Sequence, residues 1–150
     1  MIHPLIADAR LVCVDTNSLI YLHDAIDPYF PFMNRLFASI EAGDRKAIVS
    51  VVTETELLVL PLRVGDRAKQ DKIAATLAHT NLHVMSADRE VAREAARVRA
   101  ALNLKLPDAI IVATAVVARC DALVGNDRTC AQRVREIPYL YLDDIVRTGI

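Results

Sequence analysis

Short runs rich in aliphatic and β-branched residues recur along this chain, at positions 11–14, 47–51, 83–85, 122–124 and 139–142. Stretches with helical spacing separate them. The clearest spans 88–102, where Val91, Ala95, Val98 and Leu102 recur every three or four residues with Arg93, Arg97 and Arg99 between them, the pattern of an amphipathic helix. Residues 65–78 form a second such stretch, 32–42 a third that Gly43 would stop, and 108–119 a more thoroughly apolar fourth. Strands that alternate with helices need crossover connections. The chain is therefore expected to form an α/β fold with a mainly parallel sheet flanked by helices. In such sheets ligands gather beyond the carboxyl ends of the strands, so the residues after each strand are the ones to inspect.

The 150 residues suit a single domain over 1–150. With 53% hydrophobic residues, 25% charged, only 5% aromatic and no Trp, the chain reads as globular with an aliphatic core. A net charge of −1, from 18 basic and 19 acidic residues, argues against a protein that coats nucleic acid through a broad basic face. It leaves a metal-dependent nuclease open, because clustered acids offset basic residues elsewhere. Cys13, Cys120 and Cys130 lack ligand-like or paired spacing and are expected as small buried hydrophobes. The first ten residues lack a signal-peptide pattern, and the longest apolar run, 109–118, is far short of the roughly 20 residues of a membrane span. A cytoplasmic location with no membrane partner is the expectation.

Four acids stand after, or near, the strand runs. Asp15 follows residues 11–14 directly in VDTNSLIYL; Glu56 lies in SVVTETELL; Asp108 opens PDAIIVATA; Asp127 follows the fourth run in ALVGNDR. Each has a local explanation. Asp15 suits an N-cap or turn, Thr53 and Glu56 have capping-box spacing, Asp108 follows Pro107 in a first helical turn, and Asp127 fits a turn. Jointly the acids are harder to explain as architecture. If the sheet is parallel they converge at one edge, where they repel and raise one another's pKa unless cations neutralise them. Carboxylate clusters of this kind suit Mg²⁺ or Mn²⁺, and such ions activate water for phosphodiester hydrolysis.

VDTNSLIYL, SVVTETELL, LPDAIIVATA and LVGNDR, in that order, resemble the four signature segments of the PIN-domain family, and in a chain this short they resemble its VapC-like toxin branch. The resemblance implies a three-layer α/β/α sandwich around a mainly parallel sheet of about five strands. It implies a metal-dependent endoribonuclease in which Asp15, Glu56, Asp108 and Asp127 bind metal and carry catalysis, with Thr16, Asn17 and Asn126 in support. Glu56 is preferred to Glu54 because it takes the last place in Ser-x-x-Thr-x-x-Glu from Ser50. The implied partners are an RNA substrate, a small antitoxin and a second copy of the chain. Two departures stand in the fourth segment: Gly125 where the family often has Thr or Ser, and Thr129-Cys130 where an acidic–aromatic pair is commoner.

Lys105 and Arg128, beside proposed site residues, are the better candidates for RNA contact. The arginines at 89, 93, 97 and 99 are expected on a solvated face. His23, His79 and His83 share no ligand spacing and are expected as core or solvated residues. Tyr29, Phe30 and Phe32 are expected in the core, with a partner contact as the second reading. Two other classes stand beside this one: a non-catalytic PIN-shaped RNA-binding or scaffold module, and a stand-alone RNA-processing nuclease. A phosphatase would need a second Asp that Asp15-Thr16-Asn17 lacks.

Overall fold

The computed structural model describes residues 4–148. Its centre is a five-stranded sheet of β1 (Leu11–Val14), β2 (Lys46–Ser50), β3 (Leu82–Met85), β4 (Ala122–Gly125) and β5 (Tyr139–Tyr141), in the spatial order β3-β2-β1-β4-β5. Every neighbouring pair is parallel. The strand runs read from sequence fall within a residue of these bounds.

The helices are α1 (Thr16–His23), α2 (Phe30–Glu41), α3 (Val51–Val64), α4 (Arg67–Leu77), α5 (Arg89–Leu102), α6 (Leu106–Val117), α7 (Arg128–Arg133) and α8 (Leu142–Arg147). Because side chains alternate across a strand, Val12 and Val14 of β1 join a core with Leu19, Met33, Leu36, Ile40 and Ile73 from α1, α2 and α4. Cys13 and Leu123 face the opposite side and pack with Val91, Val98, Val112 and Cys130 from α5, α6 and α7. Two apolar faces explain why β1 and β4 read as unbroken hydrophobic runs. The result is the expected α/β/α sandwich.

Local chemistry fixes the helix ends. Gly65 takes a left-handed conformation, φ 69°, and closes α3. The helix expected from Gly65 therefore begins at Arg67, with Asp66 capping it by accepting the Lys69 N–H at 3.0 Å. Asp88 caps α5 in the same way, and Asn103, φ 52°, ends it. The Asp121 carboxylate accepts the N–H groups of Arg10 and Leu11, at 2.8 and 2.9 Å, and so fixes the start of β1 against the approach to β4.

Among the described residues no single helix is long and apolar enough to cross a membrane. Cys13 and Cys130 are buried and Cys120 partly so, all as free thiols. Phe32 is in the core, the arginines of α5 are exposed, and His83 is exposed while His79 is half-buried.

His23 is a core residue. Its Nε2 lies 2.8 Å from Thr76 Oγ1, and its buried Nδ1 has no hydrogen-bond partner among the described residues. Burial, then the charges of Lys72 and Lys69, lower its pKa from 6.5 to about 4. An unfolded His23 takes up a proton near 6.5, whereas the folded one resists until about 4. Its contribution is present above 6.5 and lost as pH falls through that window. Urea denaturation at a series of pH values checks this: wild type should lose stability between about pH 6.5 and 4.5 by more than a His23→Gln variant does.

Candidate metal centre at the carboxyl edge of the sheet

The strand order places a topological switch between β1 and β4. From β1 the chain moves toward β2, and from β4 it moves toward β5, on opposite sides. Helices that leave neighbouring strands in opposite directions open a crevice at the strands' carboxyl ends. Asp15 follows β1 there as the N-cap of α1, and Asp127 caps α7 just after β4. Asp108 sits in the first turn of α6, behind Pro107. Three of the four expected acids thus lie at helix N-termini, where the helix dipole favours negative charge.

Each cap engages one carboxylate oxygen. Asp15 Oδ1 accepts the Ser18 N–H at 2.9 Å and the Ser18 hydroxyl at 2.7 Å, while Oδ2 accepts the Asn126 N–H at 3.3 Å. Asp127 Oδ1 accepts the Cys130 N–H at 2.7 Å, and the Asp127 N–H donates to the Tyr139 hydroxyl at 3.0 Å. Oxygen atoms of Asp108 and Asp127 and the sulfur of Cys130 lie within 4.8 Å of one another.

Glu56 arrives from α3 but not by the capping box its spacing suggested. The helix begins at Val51, with Ser50 accepting the Val52 N–H at 3.1 Å. Thr53 is therefore buried inside the helix and Glu56 is in its second turn. The Thr16 hydroxyl donates to Glu56 Oε1 at 2.6 Å and lies 3.0 Å from Thr53 Oγ1. Thr16 thus supports Glu56, and Asn126 supports Asp15 through its backbone. Asn17 is exposed in the first turn of α1.

The PIN domain family profile matches residues 12–136. The chain belongs to the PIN-domain family. Solved structures share this PIN fold at low sequence identity. One is a sarcin–ricin-loop-cleaving VapC toxin of Mycobacterium tuberculosis, with 18% identity, a TM-score of 0.65, and coverage of 85% of this chain and 98% of the other. A DNA-bound VapBC from Salmonella typhimurium has 19% identity, a TM-score of 0.63, and coverage of 89% and 98%. A toxin–antitoxin complex from Klebsiella pneumoniae has 23% identity, a TM-score of 0.61, and coverage of 85% and 98%. No curated protein matches the sequence.

Electrostatics tie the four acids of this PIN domain together. Burial raises the Asp15 carboxyl to about 6, against the opposing hydrogen bonds from Ser18 and Asn126, and the charge of Asp108 adds to the rise. Asp108 is raised by burial, then by the charges of Asp127 and Glu56, with Lys105 pulling the other way. A cation in this crevice would relieve both acids. The donor set fits a hard divalent ion, because one oxygen of Asp127 is held by its cap while the carboxylate's other oxygen stays available. Lys105 faces Asp108 electrostatically, whereas Arg128 acts on Tyr141.

Several site residues escaped the sequence reading. Ser18, three residues after an N-cap Asp, was findable from capping geometry. Cys130 is the buried small hydrophobe expected, and its sulfur also borders Asp108 and Asp127. Tyr139 and Asp143 carried no local signal. Asp143 accepts hydrogen bonds from Tyr29, Tyr141 and the Asn126 amide, joining α8 to the loop that bears Asp127.

Ionised Asp15 opposes folding. Unfolded, the group ionises at 3.8; folded, at about 6, so the burden is absent below the first value and complete above the second. A bound cation removes that burden and stabilises the native state. Calorimetric melting should therefore show Mn²⁺ raising Tm more at about pH 7.5 than at about pH 5, where protons compete for the site. Equal shifts at both values would contradict the assignment.

Proposed function

We propose that this chain is a divalent-metal-dependent endoribonuclease that hydrolyses RNA phosphodiesters and serves as the toxin of a toxin–antitoxin pair. The observation that carries the reading is the convergence of Asp108 and Asp127 at the switch point, charge-coupled to Asp15 and Glu56. Membership of the PIN family and the likeness to a sarcin–ricin-loop-cleaving toxin and a toxin–antitoxin complex support the same reading.

Asp15, Asp108 and Asp127 would hold Mg²⁺ or Mn²⁺, with Glu56 as a further ligand or as the group that orients the attacking water. The ion supplies Lewis acidity at the phosphate and a more acidic water at neutral pH. The chain's own contribution is placement. Ser18 and Cys130 hold one oxygen of Asp15 and of Asp127, and Thr16 holds Oε1 of exposed Glu56, which leaves Oε2 to accept a proton from water. Water would add to phosphorus and give up a proton to Glu56, the bond to the leaving ribose oxygen would break as that oxygen takes a proton from solvent water, and no covalent enzyme intermediate is needed. Lys105, at the N-cap position of α6, and Arg128, the first residue of α7, would meet the phosphate backbone.

A protein partner is supported by the surface of α3. Val59, Leu60, Leu62 and Val64 are exposed there. A groove of about 240 Å³ runs between α1, α3 and α4, lined by Ile20, Leu57, Leu60, Pro61 and Val64, with Glu56 on its rim. An antitoxin segment seated in the groove would reach Glu56, and the remaining apolar surface of α3 suits a second copy of the chain.

The test is cleavage of a structured RNA pool by partner-free protein with Mn²⁺, with EDTA, and as Asp108→Asn. Metal-dependent cutting should fall by at least about 100-fold in the variant, more than the loss typical for residues that only orient a ligand. Cutting that survives the substitution would sink the assignment. No cutting by folded wild type would favour the non-catalytic binding module.

A further inference from the structure

The acid crevice contains a hydroxyl that the proposed chemistry does not use. Tyr139, on edge strand β5, packs its ring against the core formed with α5, α6 and α7. Its hydroxyl oxygen accepts the Asp127 N–H at 3.0 Å. Gly125, the last residue of β4, lies beside it. A Cβ at Gly125 would fall 2.3 Å from that hydroxyl oxygen, 2.9 Å from Tyr139 Cζ and 2.6 Å from Asp15 Oδ2. The phenol tip and the Asp15 carboxylate therefore lie against the one space that a side chain at 125 would fill. No other residue type fits without displacing one of them, and Gly125 has no need of a left-handed backbone to explain its presence.

A phenol oxygen that accepts an amide N–H still has its own proton to donate. Here the hydroxyl oxygen is bonded to Asp127 through its backbone, and Asp15 Oδ2 adjoins the same space at Gly125. Among the described residues Asp15 Oδ2 accepts one hydrogen bond, the long 3.3 Å bond from the Asn126 N–H.

We propose that Tyr139 is a positioning residue of the acid site: its hydroxyl, admitted by the bare Gly125, fixes the Asp127 backbone and the facing Asp15 carboxylate in the mutual placement that a divalent cation requires. This rests on the metal-dependent reading above. It makes β5, which contributes no acid, part of the site, and it gives Gly125 a function as the opening through which the hydroxyl reaches the acids. Hydrogen bonds that orient metal ligands typically contribute about 10- to 100-fold to metal affinity.

The experiment is calorimetric titration of Mn²⁺ into metal-free wild type, Tyr139→Phe, Gly125→Ala and Asp108→Asn, with melting curves for each and KM for RNA as a second readout. Phe keeps the packed ring and removes the oxygen. Tyr139→Phe should weaken Mn²⁺ binding about 10-fold or more, leave KM for RNA near the wild-type value and lower Tm by no more than about 5 °C. Gly125→Ala, which keeps the hydroxyl but forces it or Asp15 aside, should also weaken Mn²⁺ binding. Wild-type affinity in a folded Tyr139→Phe overturns the proposal and leaves the nuclease reading intact. If Tyr139→Phe does not fold, Gly125→Ala decides: wild-type affinity there overturns it, and weakened affinity supports it. Wild type that binds no Mn²⁺, as Asp108→Asn should not, removes the metal-dependent reading itself and this proposal with it.

Discussion

Strands β1 and β4 lie side by side in parallel, with Val12 opposite Ala122, Cys13 opposite Leu123 and Val14 opposite Val124, and from them the chain departs in opposite directions. The crevice, the helix N-termini that line it and the meeting of Asp15 with the Asn126 backbone beside Asp127 all depend on that pairing. Its register is set by burial on both faces. A slip of one residue would carry Val12 and Val14 into the opposite core and turn every side chain of the strand over. The last rung, the Asp15 N–H to Val124 O at 3.0 Å, extends the ladder into the site itself. The position of the first acid is thus a consequence of sheet packing.

Charge works against this arrangement. Burial opposes ionisation of Asp15 and Asp108, and their neighbours' charges deepen the effect. The chain offsets part of the cost with bonds to Ser18, Asn126 and Cys130 and with the positive ends of α1, α6 and α7. What remains is an edge that suits neutralisation by a cation better than it suits isolation. Capping and ligation are compatible here, because a carboxylate has two oxygens and an N-cap bond engages only one.

The two departures from the family pattern in the fourth segment have a common setting. The bare Gly125 admits the Tyr139 hydroxyl from the neighbouring strand, and Cys130 places a compact sulfur beneath Asp108 and Asp127. Asn126, between them, reaches outward to Tyr21 and Asp143. The segment is thus held by three strands and α8, although only the six residues LVGNDR were visible as a motif.

The alternation of apolar runs and helical periods in the sequence determined the α/β class, the parallel sheet and the edge at which to look, because burial dictates those patterns residue by residue. It also singled out Asp15, Asp108 and Asp127, since each follows a strand or opens a helix where local geometry is restrictive. The short helices α7 and α8 were not legible, as six residues carry too little periodicity to register. Glu56 stood out by its last place in Ser-x-x-Thr-x-x-Glu, and its charge acts on Asp108; the capping box that would have explained it locally does not form, because the helix start belongs to Ser50. Only the tertiary structure decided the strand order, and with it the convergence of residues more than a hundred positions apart. The roles of Gly125, Cys130 and Tyr139 came from the same source, since close approach between strands leaves no mark on the residues that flank each one in sequence.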